Sequence, residues 1–586
     1  MNMKQLMTKW ADNINEKNVL GEYPRPLMRR KSYVNLNGIW KYAIRETKGF
    51  PKKMDGDILV PFSPEAVLSG VNKQLKPEEY LWYKRRLPDE VKPEKGSRWI
   101  LHFGAVDQCA VVYINGKKQG KHVGGYLPFS YDITEALKEE KNLLTVKVRD
   151  YSETCYYSRG KQKLKNGGMF YTAQSGIWQT VWIEKVPECY IGHLKITPLY
   201  DQSSIMIQME EEHGIKDIDY EVTITARKMW PVKASGKTGK PCVIMIPHMR
   251  SWSPEDPFLY DLHVRMGEDS VESYFAMRKV EVKNDKEGIP RIFLNNEPYF
   301  EKGVLDQGYW PDGLYTPPCD EAMIYDIQKM KDLGFNMIRK HIKIEPQRWY
   351  YHCDRIGMLV WQDMVNGGRD YKSWYVTYMA TAMEGMHIRA KDTRIHLMGR
   401  QDPAGQRQFE KEVKETVRLL YNHPSIVTWV IFNEGWGQFQ TKKMTDIVRA
   451  EDPYRLTDSA SGWFDQGCGD IRSIHDYFFP LYVTPEKRVT ALTEFGGYSL
   501  QIPKHSMYEK KVYGYKKFKR KRELTAGYEK LIKKLIIPNI SRGLSATVYT
   551  QLSDIEEEVN GIISYDRKIV KMDEKTVKKL NEKLHF

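Results

Sequence analysis

Cysteine is sparse and unpatterned. The seven residues, Cys109, Cys155, Cys189, Cys242, Cys319, Cys353 and Cys468, are odd in number and form no Cys-x-x-Cys pair. This argues against a disulfide framework and against a structural zinc site, and it fits reduced thiols in a cytoplasm. No run of eighteen apolar residues occurs and mean hydropathy is −0.60, which excludes a membrane-spanning helix. The first twenty residues carry Asp12 and Glu16 and no apolar stretch, so no secretory leader is read there and a cytoplasmic location is expected. No internal repeat or low-complexity tract is present. No Gly-x-Gly-x-x-Gly follows an early strand, which weighs against an open nucleotide-binding sheet.

Acidic residues are fewer than basic ones, 76 against 91, for a net charge of +15. The excess is spread along the chain. Its densest cluster is Lys516, Lys517, Lys519, Arg520, Lys521 and Arg522. No zinc-finger spacing or RNA-binding aromatic signature accompanies it, so the cluster reads as a solvated face and no nucleic-acid partner is expected. Aromatics, by contrast, are abundant, with 15 Trp and 37 Tyr, too many for a disordered chain. At roughly 100–200 residues per domain, three or four domains are expected.

The first half reads as strands divided by Gly and Pro turns. Residues 1–188 are expected to form a jelly-roll β-sandwich and 189–285 a shorter immunoglobulin-like sandwich. From Gly288-Ile-Pro290 the texture alternates. Strands are expected at 299–305, 336–340, 358–362, 428–432, 456–459, 473–477, 491–493 and 546–549, with helices at 320–333, 346–356, 405–421, 441–450 and 527–536. Eight strands with intervening helices in 286–586 have the size of a (β/α)₈ barrel, with an open doubly wound sheet as the competing reading.

In a barrel, reactive groups sit at the C-terminal strand ends. Thr428-Trp-Val-Ile-Phe-Asn433-Glu434-Gly435 and Ala491-Leu-Thr493-Glu494-Phe-Gly496 are strands that end in a glutamate and a glycine turn, and they are the fourth and seventh of the eight. Two carboxyls across one mouth are what glycoside hydrolysis needs: one protonated to give its proton to the leaving oxygen, one ionised to attack the anomeric carbon. A strand-end glutamate alone is more often a solvated rim residue. Two on one barrel, one followed closely by Trp436, point to chemistry.

These residues belong to a wider pattern. Leu36-Asn-Gly-Ile-Trp40, Gly125-Tyr-Leu-Pro-Phe129, Ser175-Gly-Ile-Trp-Gln-Thr-Val-Trp182, Asp332-Leu-Gly-Phe-Asn-Met-Ile-Arg339, Cys353-Asp-Arg-Ile-Gly-Met-Leu-Val-Trp-Gln-Asp363, Asn422-His-Pro-Ser-Ile426 and Tyr549-Thr-Gln-Leu-Ser-Asp-Ile-Glu-Glu-Glu-Val-Asn-Gly561 follow in order. In combination they resemble glycoside hydrolase family 2, the β-galactosidases, β-glucuronidases and β-mannosidases. The resemblance implies a jelly-roll, immunoglobulin-like and TIM-barrel arrangement, and a retaining double displacement without an organic cofactor. It also implies Glu434 as general acid/base, Glu494 as nucleophile, Asn433 on the sugar 2-hydroxyl, Arg339 beside the nucleophile and Tyr477 bonded to it. Trp361, Trp436, Trp463 and Tyr549 are candidates for stacking on a sugar face, against core packing as the commoner fate of such rings. His341 and Asp363 are further candidates near the mouth.

The pattern departs from the family at the substrate. The Asn-x-Lys of family glucuronidases is here Glu558-Val559-Asn560, which disfavours a uronic acid. Leu305-Asp-Gln-Gly-Tyr-Trp310 stands in place of the metal-site segment of the large galactosidases, so no metal is expected. The segment from Leu500 to Gly527, between the seventh and eighth strands, reads as disordered or surface, against a role in shaping aglycone choice at the site such loops border. The expectation is an exo-acting retaining β-glycosidase whose partner is a carbohydrate, β-galactoside first, with the oligomeric state open. A β-glucosidase, β-mannosidase or β-glucuronidase, or a non-catalytic carbohydrate-binding protein, are the alternatives.

Overall fold

The computed structural model describes residues 6–385, 390–478, 480–510 and 512–586; the first five residues of the stretch read above for a leader lie outside these. The N-terminal region is two antiparallel sheets. One has four strands, ordered Tyr33–Asn35, Val181–Pro187, Ser97–Phe103 and Phe129–Asp132. The other has six and is centred on Tyr80–Arg86 and Leu143–Arg149. Alternate residues of both point inward, and Trp40, Leu101, Val146 and Ile183 fill the space between them, as in an aligned sandwich. The next seven strands form sheets of three and four, with Ile207, Val222, Leu262 and Val264 in their own core. The jelly-roll and immunoglobulin-like readings therefore hold.

The C-terminal part is one eight-stranded parallel sheet. We number its strands β1 (Glu301–Asp306), β2 (Met337–Lys340), β3 (Leu359–Asp363), β4 (Ile426–Val430), β5 (Leu456–Asp458), β6 (Ile471–Asp476), β7 (Val489–Gly496) and β8 (Leu544–Thr550). The order is β5-β4-β3-β2-β1-β8-β7-β6. Only the β5/β6 seam lacks a backbone ladder, and it is joined by other bonds. Ser473 Oγ donates to Asp458, and the Asp470 amide donates to the Thr457 carbonyl at 2.8 Å. The sheet is thus a nearly closed barrel, and the open-sheet alternative falls. All eight expected strands are in it.

Helix α1 (Asp320–Asp332) follows β1, α2 (Gln347–Ile356) follows β2, α3 (Pro403–Leu420) follows β3 and α4 (Thr441–Glu451) follows β4. Helix α5 (Lys521–Leu531) precedes β8 and α6 (Glu574–Asn581) comes after it. The start of α1 carries Asp320 and Glu321, suited to the positive end of its dipole; its buried stripe is Ala322, Met323, Ile327 and Met330. Gly334, at φ 82°, turns the chain out of it. The expected 527–536 helix starts earlier, at Lys521, and runs on into a π-helical turn at Ile532–Ile536.

Strand parity assigns the barrel layers. Met337, Leu359, Trp361, Val430, Ala491, Ala546 and Val548 form the inner core, while Val304, Ile338, Val360, Leu492 and Tyr549 face the helices. A buried polar joint ties the second sandwich to the barrel. Asp354 of α2 accepts from Tyr274 Oη at 2.6 Å, and pairs with His423 Nδ1 at 2.7 Å. Both Asp354 and His423 are fully buried. Asp354→Ala leaves the Ser425 amide without its acceptor and the Tyr274 hydroxyl and His423 with only each other, and is expected to cost about 1–3 kcal/mol, read as a lower thermal midpoint with no change in secondary structure at 25 °C.

Candidate active site

The C-terminal strand ends collect the charged residues. Arg339, the penultimate residue of β2, has no solvent exposure. Its Nε and Nη2 donate to Asp363 of β3 at 2.9 and 3.0 Å, and Nη2 also donates to Asn433 Oδ1 at 2.9 Å. Its Nη1 donates to the Thr493 carbonyl at 3.2 Å and to Glu494 Oε1 at 3.3 Å. Tyr477, just past β6, donates its hydroxyl to Glu494 Oε2 at 2.6 Å. Both oxygens of Glu494 are thus held.

Two backbone devices aim the glutamates. Glu434 has φ 51° and is followed by Gly435 at φ 74°. A non-glycine residue in the left-handed region is strained and tends to occur at functional sites. Here the Glu434 amide is anchored on the Ser461 carbonyl at 2.9 Å. Glu494 follows a bulge: Ile474 pairs with Leu492 but His475 with Glu494, so Thr493 is the extra residue. A bulge re-aims the next side chain. Without it, Glu494 would follow Leu492 toward the helices.

One carboxyl oxygen of Glu434, one of Glu494 and one ring nitrogen of His475 lie within 4.8 Å of one another. His475 Nδ1 is 3.0 Å from Glu434 Oε1, and its Nε2 is 3.7 Å from Glu494 Oε1. Such spacing also suits a cation, but the Arg339 guanidinium already occupies the same Glu494 oxygen, and an ion-pair network is the better description. Burial by itself raises the Glu494 carboxyl, and the positive charge of His475 and Arg339 outweighs it, so the carboxyl is held well below the usual carboxylate range. Glu494 is 7% exposed and Glu434 24%, so Glu434 is the one facing the solvent path.

The structure sorts the other candidates. Asp363 is consumed by Arg339 and His341, whose Nδ1 is 2.8 Å from Oδ2; it braces the site from beneath. His341 Nε2 is buried without a partner. Trp436 forms part of the wall, its ring 6.0 Å from Phe170 and 6.1 Å from Tyr371, with Arg159 at 5.1 Å over its face. Trp463 is half-buried, 6.4 Å from His475.

Two of the four stacking candidates, Tyr549 among the expected site residues and Trp361, take the core-packing alternative. Tyr549 points outward from β8 onto the helices, with Tyr528 at 5.1 Å and Phe495 at 5.5 Å, and has no exposure. Trp361 lies inside the barrel two residues below Asp363, and its Nε1 donates to Glu301 at 2.6 Å. Neither reaches a sugar.

His475, Tyr513, Tyr515 and Lys161 escape the sequence reading. Tyr515 stacks on Tyr477, centroids 3.9 Å apart and planes 10° off parallel. Tyr513 bridges to Glu558 in the loop after β8. The stretch 500–527 is therefore not merely surface, although its cationic cluster is exposed as expected. The jelly-roll also contributes. The Arg159 and Gly160 amides donate to the Asn366 carbonyl at 3.3 and 3.0 Å. Asn166 Nδ2 donates to Glu556 at 2.6 Å, and Tyr171 Oη donates to Glu558. One usable signal was available: His475 is two residues from Tyr477, hence on the same face of β6.

Residues 71–187 match the pattern for the sugar binding domain of glycosyl hydrolases family 2, and residues 319–506 match that for its TIM barrel domain. The chain belongs to glycoside hydrolase family 2. A family 2 relative, the β-galactosidase of Thermoanaerobacter pseudethanolicus, is 24% identical over 80% of this chain and 61% of its own length. This chain spans about half or less of two Formosa agariphila relatives, 47% and 34% of their lengths. Among solved structures, the Dictyoglomus thermophilum β-D-glucuronidase aligns with a TM-score of 0.74 at 17% identity, covering 96% of this chain and 99% of that one. The Eisenbergiella tayi β-galacturonidase aligns at 0.69 and 18%, covering 95% and 98%. At such identities these two show a shared fold.

Because folding depresses the Glu494 carboxyl, its ionised form stabilises the native state above the unfolded value of about 4.3. That contribution is lost as pH falls through the folded value. Glu494→Gln is therefore expected to melt below wild type at pH 7, with the gap narrowing below about pH 4, as read by calorimetry across pH.

Proposed function

We propose that this family 2 chain is an exo-acting β-glycosidase that cleaves by double displacement with retention. One observation supports this most: one carboxyl oxygen of Glu434 comes within 4.8 Å of one of Glu494, an approach that favours the closer of the two spacings glycosidases use. Retaining enzymes hold their carboxyls about 5–5.5 Å apart, whereas inverting enzymes need about 6.5–9.5 Å to seat a water. In this reading Glu494, ionised and bonded by Arg339 and Tyr477, attacks the anomeric carbon. Glu434, nearer the solvent, gives its proton to the leaving oxygen and later takes one from water. Asn433, 5% exposed and oriented by Arg339, bonds the 2-hydroxyl as charge develops on the ring. Tyr477 steers the nucleophile, and Trp436 with Trp463 walls the sugar pocket. The partner is a carbohydrate, and nothing in this reaction calls for an organic cofactor.

A neutral sugar, β-galactoside first, fits the loop after β8. There the Glu558 carboxylate accepts from Tyr171 and, at 2.8 Å, from Asn560, where a uronic acid would meet like charge. A second reading, a uronide, draws on the relatives named glucuronidase and galacturonidase and on Lys161, whose charge reaches Glu494 and His341.

A panel of nitrophenyl β-glycosides, including galactoside, glucoside, mannoside, glucuronide and galacturonide, separates them. A neutral glycoside is expected to turn over fastest, and Glu494→Gln to reduce kcat at least about 10⁴-fold with the fold intact. Turnover of uronides alone selects the second reading. Retained activity in Glu494→Gln refutes the nucleophile, and sugar binding without turnover in wild type supports the binding-protein alternative.

A further inference from the structure

His475 occupies the centre of the carboxyl pair. Its Nδ1 is 3.0 Å from Glu434 Oε1, and its Nε2 is 3.0 Å from Ser461 Oγ as well as 3.7 Å from Glu494 Oε1. The side chain has no exposure. The loop after β5 presses on the ring: a Cβ added at Gly462 would lie 2.7 Å from Nδ1. The imidazole is therefore held in one orientation, with a nitrogen on each functional neighbour. The charged and titratable groups facing it are Glu434 and Glu494, then Arg339, with His341, Asp363 and Asp458 behind them.

A retaining acid/base must hold a proton in the first step and lack it in the second. At 3.0 Å, one proton can sit on Oε1 or on Nδ1. We propose that His475 is a positioning residue that shares one proton with Glu434, so that the histidine–glutamate pair, and not the glutamate alone, is the acid/base unit. This rests on the retaining-glycosidase reading of the same site.

In the first step a Glu494 oxygen bonds to the anomeric carbon and the glycosidic C–O bond breaks. The pair's proton passes through Glu434 to the leaving oxygen, leaving a carboxylate beside a neutral ring. In the second, water oxygen bonds to the anomeric carbon, Glu494 departs as carboxylate, and the water's proton returns to the pair. Throughout, Nε2 keeps its own proton and donates it to Ser461 Oγ, whose hydroxyl donates to Thr493 Oγ1 at 3.1 Å. Burial disfavours imidazolium, but the two carboxylates outweigh it, and the His475 pKa is raised. The proton is thus retained toward higher pH than a lone glutamic acid allows.

Two measurements test this. The first is NMR titration of ring-labelled histidines in wild type and in Glu434→Gln. His475 is expected to titrate above the ordinary value of about 6.5, and to move down when Glu434 loses its charge. Titration at or below the ordinary value, or no response to Glu434→Gln, overturns the proposal, and this readout stands even if no glycoside is turned over, an outcome that would count against the glycosidase reading alone. The second is the pH profile of kcat/KM for wild type and His475→Asn across aryl β-glycosides of graded leaving-group acidity. The alkaline limb is expected to move to lower pH, with a larger loss for poor leaving groups than for dinitrophenolate. An unmoved limb with a uniform loss assigns His475 a purely structural role and contradicts the proposal.

Discussion

The site depends on one buried cation. A guanidinium with no access to water is costly unless its donors are matched, and those of Arg339 are matched by Asp363, Asn433, the Thr493 carbonyl and Glu494. These partners come from β3, the turn after β4, and β7. The constraint works in both directions. The barrel must close in the register that brings those strand ends together, and the strand ends must hold the geometry that satisfies the arginine. Positive charge from His475 first, with Arg339 adding to it, keeps Glu494 charged in a place where burial alone would neutralise it. The His341–Asp363 bond and the Tyr477–Glu494 bond extend the network. Glu434 stands outside the arginine's reach, bonded to His475 and open to solvent. Two glutamates of equal chemistry thereby acquire different surroundings, the condition for different roles.

The N-terminal sandwich is part of this arrangement. Its 158–172 stretch lies on the barrel mouth, bonded to Asn366 on one side and to Glu556 and Glu558 on the other. The 512–518 stretch enters from a third side and places Tyr515 over Tyr477. The mouth is therefore assembled from three parts of the chain far apart in sequence. The residues that border a sugar are set by contacts between these parts as much as by the barrel itself.

Much of the fold was legible because it is local. The α1 stripe with its glycine stop, the apolar strand runs and the Gly and Pro turns each express a short-range preference. The placement of Glu434 and Glu494 was legible for a related reason: each stands at the end of an apolar run, with glycine one or two residues on. Tyr549 and Trp361 were misread because the sequence shows an aromatic near a strand end but not the side or depth at which it sits. Parity places Tyr549 outside β8, and Trp361 lies two residues too deep. The bulge at Thr493, which turns Glu494 inward, has no sequence signature of its own. His475 and Tyr515 acquire meaning only through neighbours on other strands and loops, and Lys161 only through the docking of a separate domain.

The proposed function turns on a covalent intermediate at Glu494, which the approach of one Glu434 oxygen to within 4.8 Å of a Glu494 oxygen favours. Proton NMR of the sugar product in the first minutes of turnover of an accepted aryl β-glycoside tests it most directly. The account predicts that the β-anomer forms first and the α-anomer grows in only by mutarotation. First appearance of the α-anomer would contradict it.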